Sequence, residues 1–272
     1  MIELAADGYP KILPAYEDGV FKSIFTRPEN KLSLADIISS FTGIPVEDVT
    51  VRGSELPIKD IGVKREIFDI NCTATDGKSQ FAIEMQADPM ERDNAKNEHA
   101  NVRCRSVYCL ADLHSNQAGR GLDYSGFAKS YQITISNYSP FKERHGLLEE
   151  FLLRNERGLV LADAIRAIFV DLSLVNEIVK KPVRDMTAAE MWAIFIAKAS
   201  EPEYYGLLNE IIENKEAILM VQESLNSISM DENERARYRS RRIWELDREH
   251  EQAVWRQDAE AAKQETEIEK LR

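Results

Sequence analysis

The chain is poor in the features that mark several functional classes. It has three cysteines, Cys72, Cys104 and Cys109, an odd number with no CxxC pair, which argues against a disulfide framework or a zinc knuckle. Its four histidines, His99, His114, His145 and His250, show no ligand spacing. No run of about 18 apolar residues exists, so no membrane span is expected. Residues 1–14 hold no basic segment followed by an apolar one, so no signal peptide is expected. Neither a Gly-rich phosphate loop nor a nucleophile elbow appears, which leaves nucleotide-dependent and serine-hydrolase chemistry without support. A soluble cytoplasmic protein is the expectation. Positive charge is also scarce: 35 Lys and Arg face 47 Asp and Glu, for a net charge of −12. So acidic a chain does not attract polyanions as a whole, and any contact with nucleic acid needs a local basic patch.

What is present is a chain of 272 residues, 43 % hydrophobic, enough to bury a sizeable core. Residues 1–16, with Pro10 and Pro14, read as a leader. Apolar residues at helical spacing predict helices over 18–25 and 32–41, the second stopped by Gly43. A strand is expected at 49–52, then two alternating stretches, 67–75 and 79–86. A long helix should cover about 90–117, with Ala100, Cys104, Val107, Ala111 and His114 as its apolar face and Gly119 and Gly121 at its end. Residues 131–137 alternate as a strand, and 151–174 hold two more apolar stretches around 155–158. From Thr187 the pattern is helical. Ser229-Met-Asp-Glu232 fits a capping box that starts a last, very polar helix. This order implies a mixed α/β structure with a central sheet flanked by helices. The expected divisions are a core domain over 17–180, a helical region over 181–228 and the polar helix over 229–272.

The two stretches at 67–86 are the most informative. Asp76-Gly77 between them is a strong two-residue hairpin signal. A loop centred there sets Thr75 opposite Lys78, and every opposed pair of residue numbers then has the same sum. The apolar rows Phe68, Ile70, Cys72, Ala74 and Phe81, Ile83, Met85, Ala87 fall on one side together, as a buried face requires. On the other side Asp69 directly faces Glu84, accompanied by Asn71, Thr73, Gln80 and Gln86. The plain alternative is a solvated face of an amphipathic hairpin. Against it, directly opposed like charges cost about 0.2–1 kcal/mol. A hard divalent cation such as Mg²⁺ reverses that sign, because it binds through one or two carboxylates plus water.

Asp69, followed on the next strand by Ile83-Glu84-Met85-Gln86, resembles the PD-(D/E)xK nuclease signature, with Gln86 in the usual Lys position. Around it, Asp18-Gly-Val-Phe21-Lys22-Ser-Ile-Phe25, Lys64-Arg-Glu-Ile-Phe-Asp69, Arg105-Ser-Val-Tyr108, Gly121-Leu-Asp-Tyr124 and Tyr131-Gln-Ile-Thr-Ile135 occur in order. Over about residues 16–180 the set resembles the recombination-promoting nucleases, a family also labelled as transposases. The resemblance implies a PD-(D/E)xK nuclease-like core and DNA phosphodiester cleavage dependent on Mg²⁺ or Mn²⁺. It implies Asp69 and Glu84 as metal ligands, the Met85 carbonyl as a further oxygen, and Asp18 as an extra acid. Gln86 can orient a water but can neither take its proton nor carry charge. Lys64 or Lys22 would then supply the missing cation.

Arg103 and Arg105, on the helix after the second strand, are expected to contact DNA phosphates, as is Lys22. Their plain alternative is a solvated helix face. Arg235, Arg237, Arg239, Arg241 and Arg242 form the most basic segment, suited to a DNA backbone or to pairing with Glu232, Glu234 and Glu245. The leading expectation is a metal-dependent DNA endonuclease linked to recombination or mobile elements. The competing one is a weakened, DNA- or protein-binding module that self-associates into a homo-oligomer through its C-terminal helices.

Overall fold

The computed structural model describes residues 4–52, 69–87, 98–117, 123–244, 246, 247, 250, 251 and 254. Helices α1 (Asp18–Phe25) and α2 (Lys31–Thr42) form where the apolar spacing places them. Gly43 ends α2 in the left-handed region, at φ 70°, where a side chain would be strained. The strands are β1 (Val49–Arg52), β2 (Ile70–Ala74), β3 (Ser79–Gln86), β4 (Lys129–Ser136), β5 (Leu148–Phe151) and β6 (Ile165–Asp171). Helix α3 (Glu98–Ser115) lies between β3 and β4 in sequence. After β6 come α4 (Val175–Ile178), α5 (Ala188–Lys198), α6 (Tyr205–Asn214), α7 (Glu216–Met230) and α8 (232–244).

The strands make one mixed sheet in the order β1-β2-β3-β4-β6-β5. The first three form an antiparallel meander, β3, β4 and β6 run parallel, and β5 closes the far edge antiparallel. Parallel strands are buried on both faces, and every residue of β3 is buried. The faces differ in chemistry. One carries Ile70, Cys72, Phe81, Ile83, Met85, Tyr131, Ile133 and Ile135, all buried, with Phe81 stacked on Tyr131 across the β3–β4 register. The other carries Asn71, Gln80, Glu84, Gln86, Gln132, Thr134, Ser136 and Asp171, and it is buried as well. The solvated-face alternative for the hairpin therefore fails.

Helix α3 roofs this polar face. Cys109 and Leu113 pack on Ala82, Leu110 packs on Ala167 and Phe169, and Gln80 donates to the Leu113 carbonyl at 3.0 Å. The inward line is thus Val102, Ser106, Cys109, Leu110 and Leu113. This corrects the expected apolar face: Cys104, Val107 and Ala111 are exposed. Val102, Cys109, Leu110 and Leu113 form a second apolar line at helical spacing, and Cys109, Leu110 and Leu113 of that line meet Ala82, Ala167 and Phe169. The helix also ends at Ser115, before Gly119 and Gly121, which lie outside the described residues, as do 88–97 at its expected start.

Two further expectations are corrected. The hairpin loop holds four residues, Thr75–Lys78 in sequence, because the tight turn closes from Gly77 N–H to the Ala74 carbonyl with Gly77 at φ 71°. One extra residue on each side leaves the register unchanged. Ser229 does not cap the last helix. It lies inside α7 and its hydroxyl accepts from the Leu13 N–H at 3.0 Å, while Asp231 accepts from the N–H groups of Asn233 and Glu234 and caps α8. Leu13 and Ala15 are fully buried, and Asn30 ties α1 to α7 by donating to the Ile24 carbonyl and the Ser224 hydroxyl. The stretch read as a leader and the helices to Ser229 therefore share one compact unit with the sheet; Met230–Arg272 is a second.

Candidate metal and nuclease site

The β2–β3 register opposes Ile70 to Ile83, Asn71 to Ala82, Cys72 to Phe81 and Thr73 to Gln80. Each pair has the sum expected from the turn. Asp69, one residue before β2, therefore comes opposite Glu84. Its Oδ2 accepts from the Met85 N–H at 2.7 Å. In an extended strand the N–H and C=O of one residue point to the same side, so the Met85 carbonyl is directed to the edge where Asp69 lies.

Asp69 is held well above the usual carboxylate range. Burial is the largest cause, followed by the charges of Glu84 and Asp18 and by a hydrogen bond shared with Asp18. The Met85 N–H pulls the other way. The structure thus brings Asp18, on the first turn of α1, to the hairpin acids. Among the described residues, no three His, Cys, Asp or Glu side chains already stand as a metal-ligand set.

Glu84 is 4 % exposed. Its Oε2 accepts from Arg105 Nη2 at 3.0 Å and from Gln86 Nε2 at 3.3 Å. Arg105, expected on DNA, is thus paired with an acid of the site, its side chain 28 % exposed. Arg103 stacks its guanidinium over Phe141 at 5.6 Å. Lys22 lies one turn after Asp18 on the same side of α1. Lys64 lies outside the described residues. Tyr108 is 46 % exposed, and His114, its basicity lowered by burial, meets the Ser130 hydroxyl at 2.8 Å.

The three parallel strands end together: Gln86, Ser136 and Asp171 are in register. Ligand sites of α/β sheets gather at such carboxyl ends. There the sequence reading missed a buried pair. Asp171 accepts from His145 Nε2 at 2.7 Å and from the Ser173 N–H and hydroxyl, while His145 Nδ1 meets the Glu143 carbonyl at 2.7 Å. The partners are 26 positions apart in the sequence, which leaves no local signal. Burial acts to lower the His145 basicity, but the bonds to Glu143 and Asp171 and the charges of Asp171 and Glu149 outweigh it and raise it. A raised value means that the imidazolium stabilises the fold fully below its unfolded value, about 6.5. That contribution is lost as pH rises through the folded value. Urea unfolding between about pH 6 and 9 should lose about 1 kcal/mol of stability in wild type that His145→Gln does not lose; equal slopes in both would refute this.

Among the described residues, no helix is long and apolar enough to cross a membrane. Comparison with curated proteins and with solved structures yields no match. A family profile described as PD-(D/E)XK nuclease family transposase matches residues 15–253. Its reach takes in the acids, the sheet and most of the described helices, and the mixed sheet flanked by helices agrees with that fold. The chain belongs to the PD-(D/E)XK nuclease family transposases.

Proposed function

We propose that the protein is a metal-dependent DNA endonuclease linked to recombination or mobile elements. The observation that carries this reading is the opposition of Asp69 and Glu84 across the β2–β3 hairpin, where burial and the neighbouring acids raise the Asp69 carboxyl well above its usual range. Like charges placed so closely favour a cation over a proton when one is offered. The donors fit a hard ion: two carboxylates, the Met85 carbonyl, and Asp18 as an additional oxygen. Mg²⁺ or Mn²⁺ held there would polarise the scissile phosphate and acidify a water.

The residues themselves do the rest. Glu84 and Asp69 would hold the ion at the sheet end, and Gln86 would hydrogen-bond the attacking water without taking its proton. Lys22, and Lys64 outside the described residues, would offset phosphate charge, with Arg103 and Arg105 on the DNA backbone. The water oxygen bonds to phosphorus and the phosphodiester P–O bond breaks; of the water's two protons, one ends on the leaving oxygen and the other on the new phosphate or in solvent. The products are a hydroxyl and a phosphate monoester.

A second reading rests on Gln86, which is uncharged and already engaged with Glu84: a DNA- or protein-binding module without cleavage. Plasmid nicking with Mg²⁺, with Mn²⁺ and with EDTA separates the two. Nicking that requires the metal is expected. Absence of nicking in every metal, with DNA still retarded in a gel, would establish the binding module instead.

A further inference from the structure

The described acids at this site, Asp18, Asp69 and Glu84, make it a poor place for a phosphate unless cations offset them. One divalent ion brings two positive charges, no more than these acids themselves can offset. The phosphodiester brings its own negative charge, which spreads over its oxygens as the water attacks. Gln86 adds none to balance it. The geometry points to Arg105 as a catalytic residue that passes from Glu84 to the scissile phosphate when an ion takes its place on Glu84. This inference rests on the nuclease reading above.

Three observations and two general arguments support it. The Arg105 Nη2 lies 3.0 Å from Glu84 Oε2, so the guanidinium already stands beside a proposed metal ligand. An ion on Glu84 competes for the same oxygen electrons, and two cations on one carboxylate repel each other. Glu84 is nearly inaccessible, whereas the Arg105 side chain is 28 % exposed, so the displaced guanidinium has an open side to turn to. Its stem is anchored on α3, which packs on β3, β4 and β6 and keeps the head close to the site. A guanidinium carries five donors in a planar fork suited to two phosphate oxygens at once. It neither gives nor takes a proton in this role; it offsets charge.

The alternative is a structural ion pair that only holds Glu84 and α3. The two differ in what happens to metal binding. Full-length Arg105→Gln should bind Mn²⁺, followed by electron paramagnetic resonance without DNA, several-fold more tightly than wild type, because a competing cation is gone. The same variant should nick plasmid about 100-fold more slowly, the usual loss when one preorganised donor is removed from a transition state. Arg105→Lys, which keeps the charge without the fork, should fall between the two and retain the wild-type melting temperature. Adding Gln86→Lys to Arg105→Gln should recover nicking at least tenfold, since the charge returns from the strand. Arg105→Gln that nicks within about threefold of wild type overturns the inference. So does weakened Mn²⁺ binding in both Arg105 variants, which is the signature of the structural pair. Wild type that neither binds Mn²⁺ nor nicks DNA removes the nuclease reading itself, a result distinct from either.

Discussion

Glu84→Gln should lower plasmid nicking about 1,000-fold, or about 4 kcal/mol of barrier, while leaving DNA retention in a gel intact or slightly stronger. The substitution is nearly isosteric, so the β3 backbone and its pairing with β2 and β4 have no reason to move. It removes one unit of negative charge from a site where a divalent ion would be held by two or three oxygens. The amide still accepts from Arg105, but as a neutral group it attracts both the guanidinium and a metal ion less. Metal affinity should fall with the rate, and Arg105, partly exposed, turns to solvent without the penalty of a sealed, uncompensated charge. DNA affinity has no cause to fall, because an acid facing the phosphate is gone. Single-turnover nicking at saturating DNA over a Mg²⁺ series gives the rate and the apparent metal constant together. A variant that nicks at the wild-type rate would remove Glu84 from the site. Loss of DNA retention along with nicking would mean that Glu84 holds the fold rather than an ion.

Much of this site is visible in the residues because the hairpin obeys two independent local rules. Asp76-Gly77 places the turn, and the alternation of Ile70, Cys72, Phe81 and Ile83 admits one register only. Even the true loop, closed from Ala74 to Gly77, keeps that register because the extra residues are symmetric. The roof was less visible. Two lines on α3 carry apolar residues at helical spacing, and the one that turns inward includes Ser106 and leaves Val107 outside. The pairing of Arg105 with Glu84, and of His145 with Asp171, depends on how α3 and the 137–147 connection sit on the sheet. No local pattern carries that information. Ser229 misled for a related reason: Ser-x-x-Glu is a capping pattern, yet its hydroxyl is committed to Leu13, far away in the sequence.

Asp69→Asn should be inactive and more stable than wild type at neutral pH. The asparagine can keep both neighbours of Asp69: its carbonyl oxygen can accept from the Met85 N–H, and its amide can donate to Asp18. What it removes is the need to keep a proton there. The folded protein holds that proton above the usual carboxylate range, whereas the unfolded chain releases it near the ordinary value of about 4. Folding therefore takes up a proton at intermediate pH. By linkage, wild-type stability declines as pH rises from the unfolded value toward the folded one, and the loss persists above it. The variant has no such loss. Relief of about 1–2 kcal/mol, in keeping with removal of one buried carboxylate from a like-charged group, amounts to a melting point about 3–6 °C higher for a unit of this size. The difference should narrow toward pH 4, where wild type gains its proton without cost, and it should also shrink when Mn²⁺ is added, because the ion stabilises wild type alone. Melting curves of both proteins at about pH 4 and 7.5, with EDTA and with Mn²⁺, read all of this. A variant less stable than wild type at neutral pH in EDTA would show that the Asp69 charge supports the fold, and the raised basicity of Asp69 would then have to be abandoned as the mark of a site built for a cation.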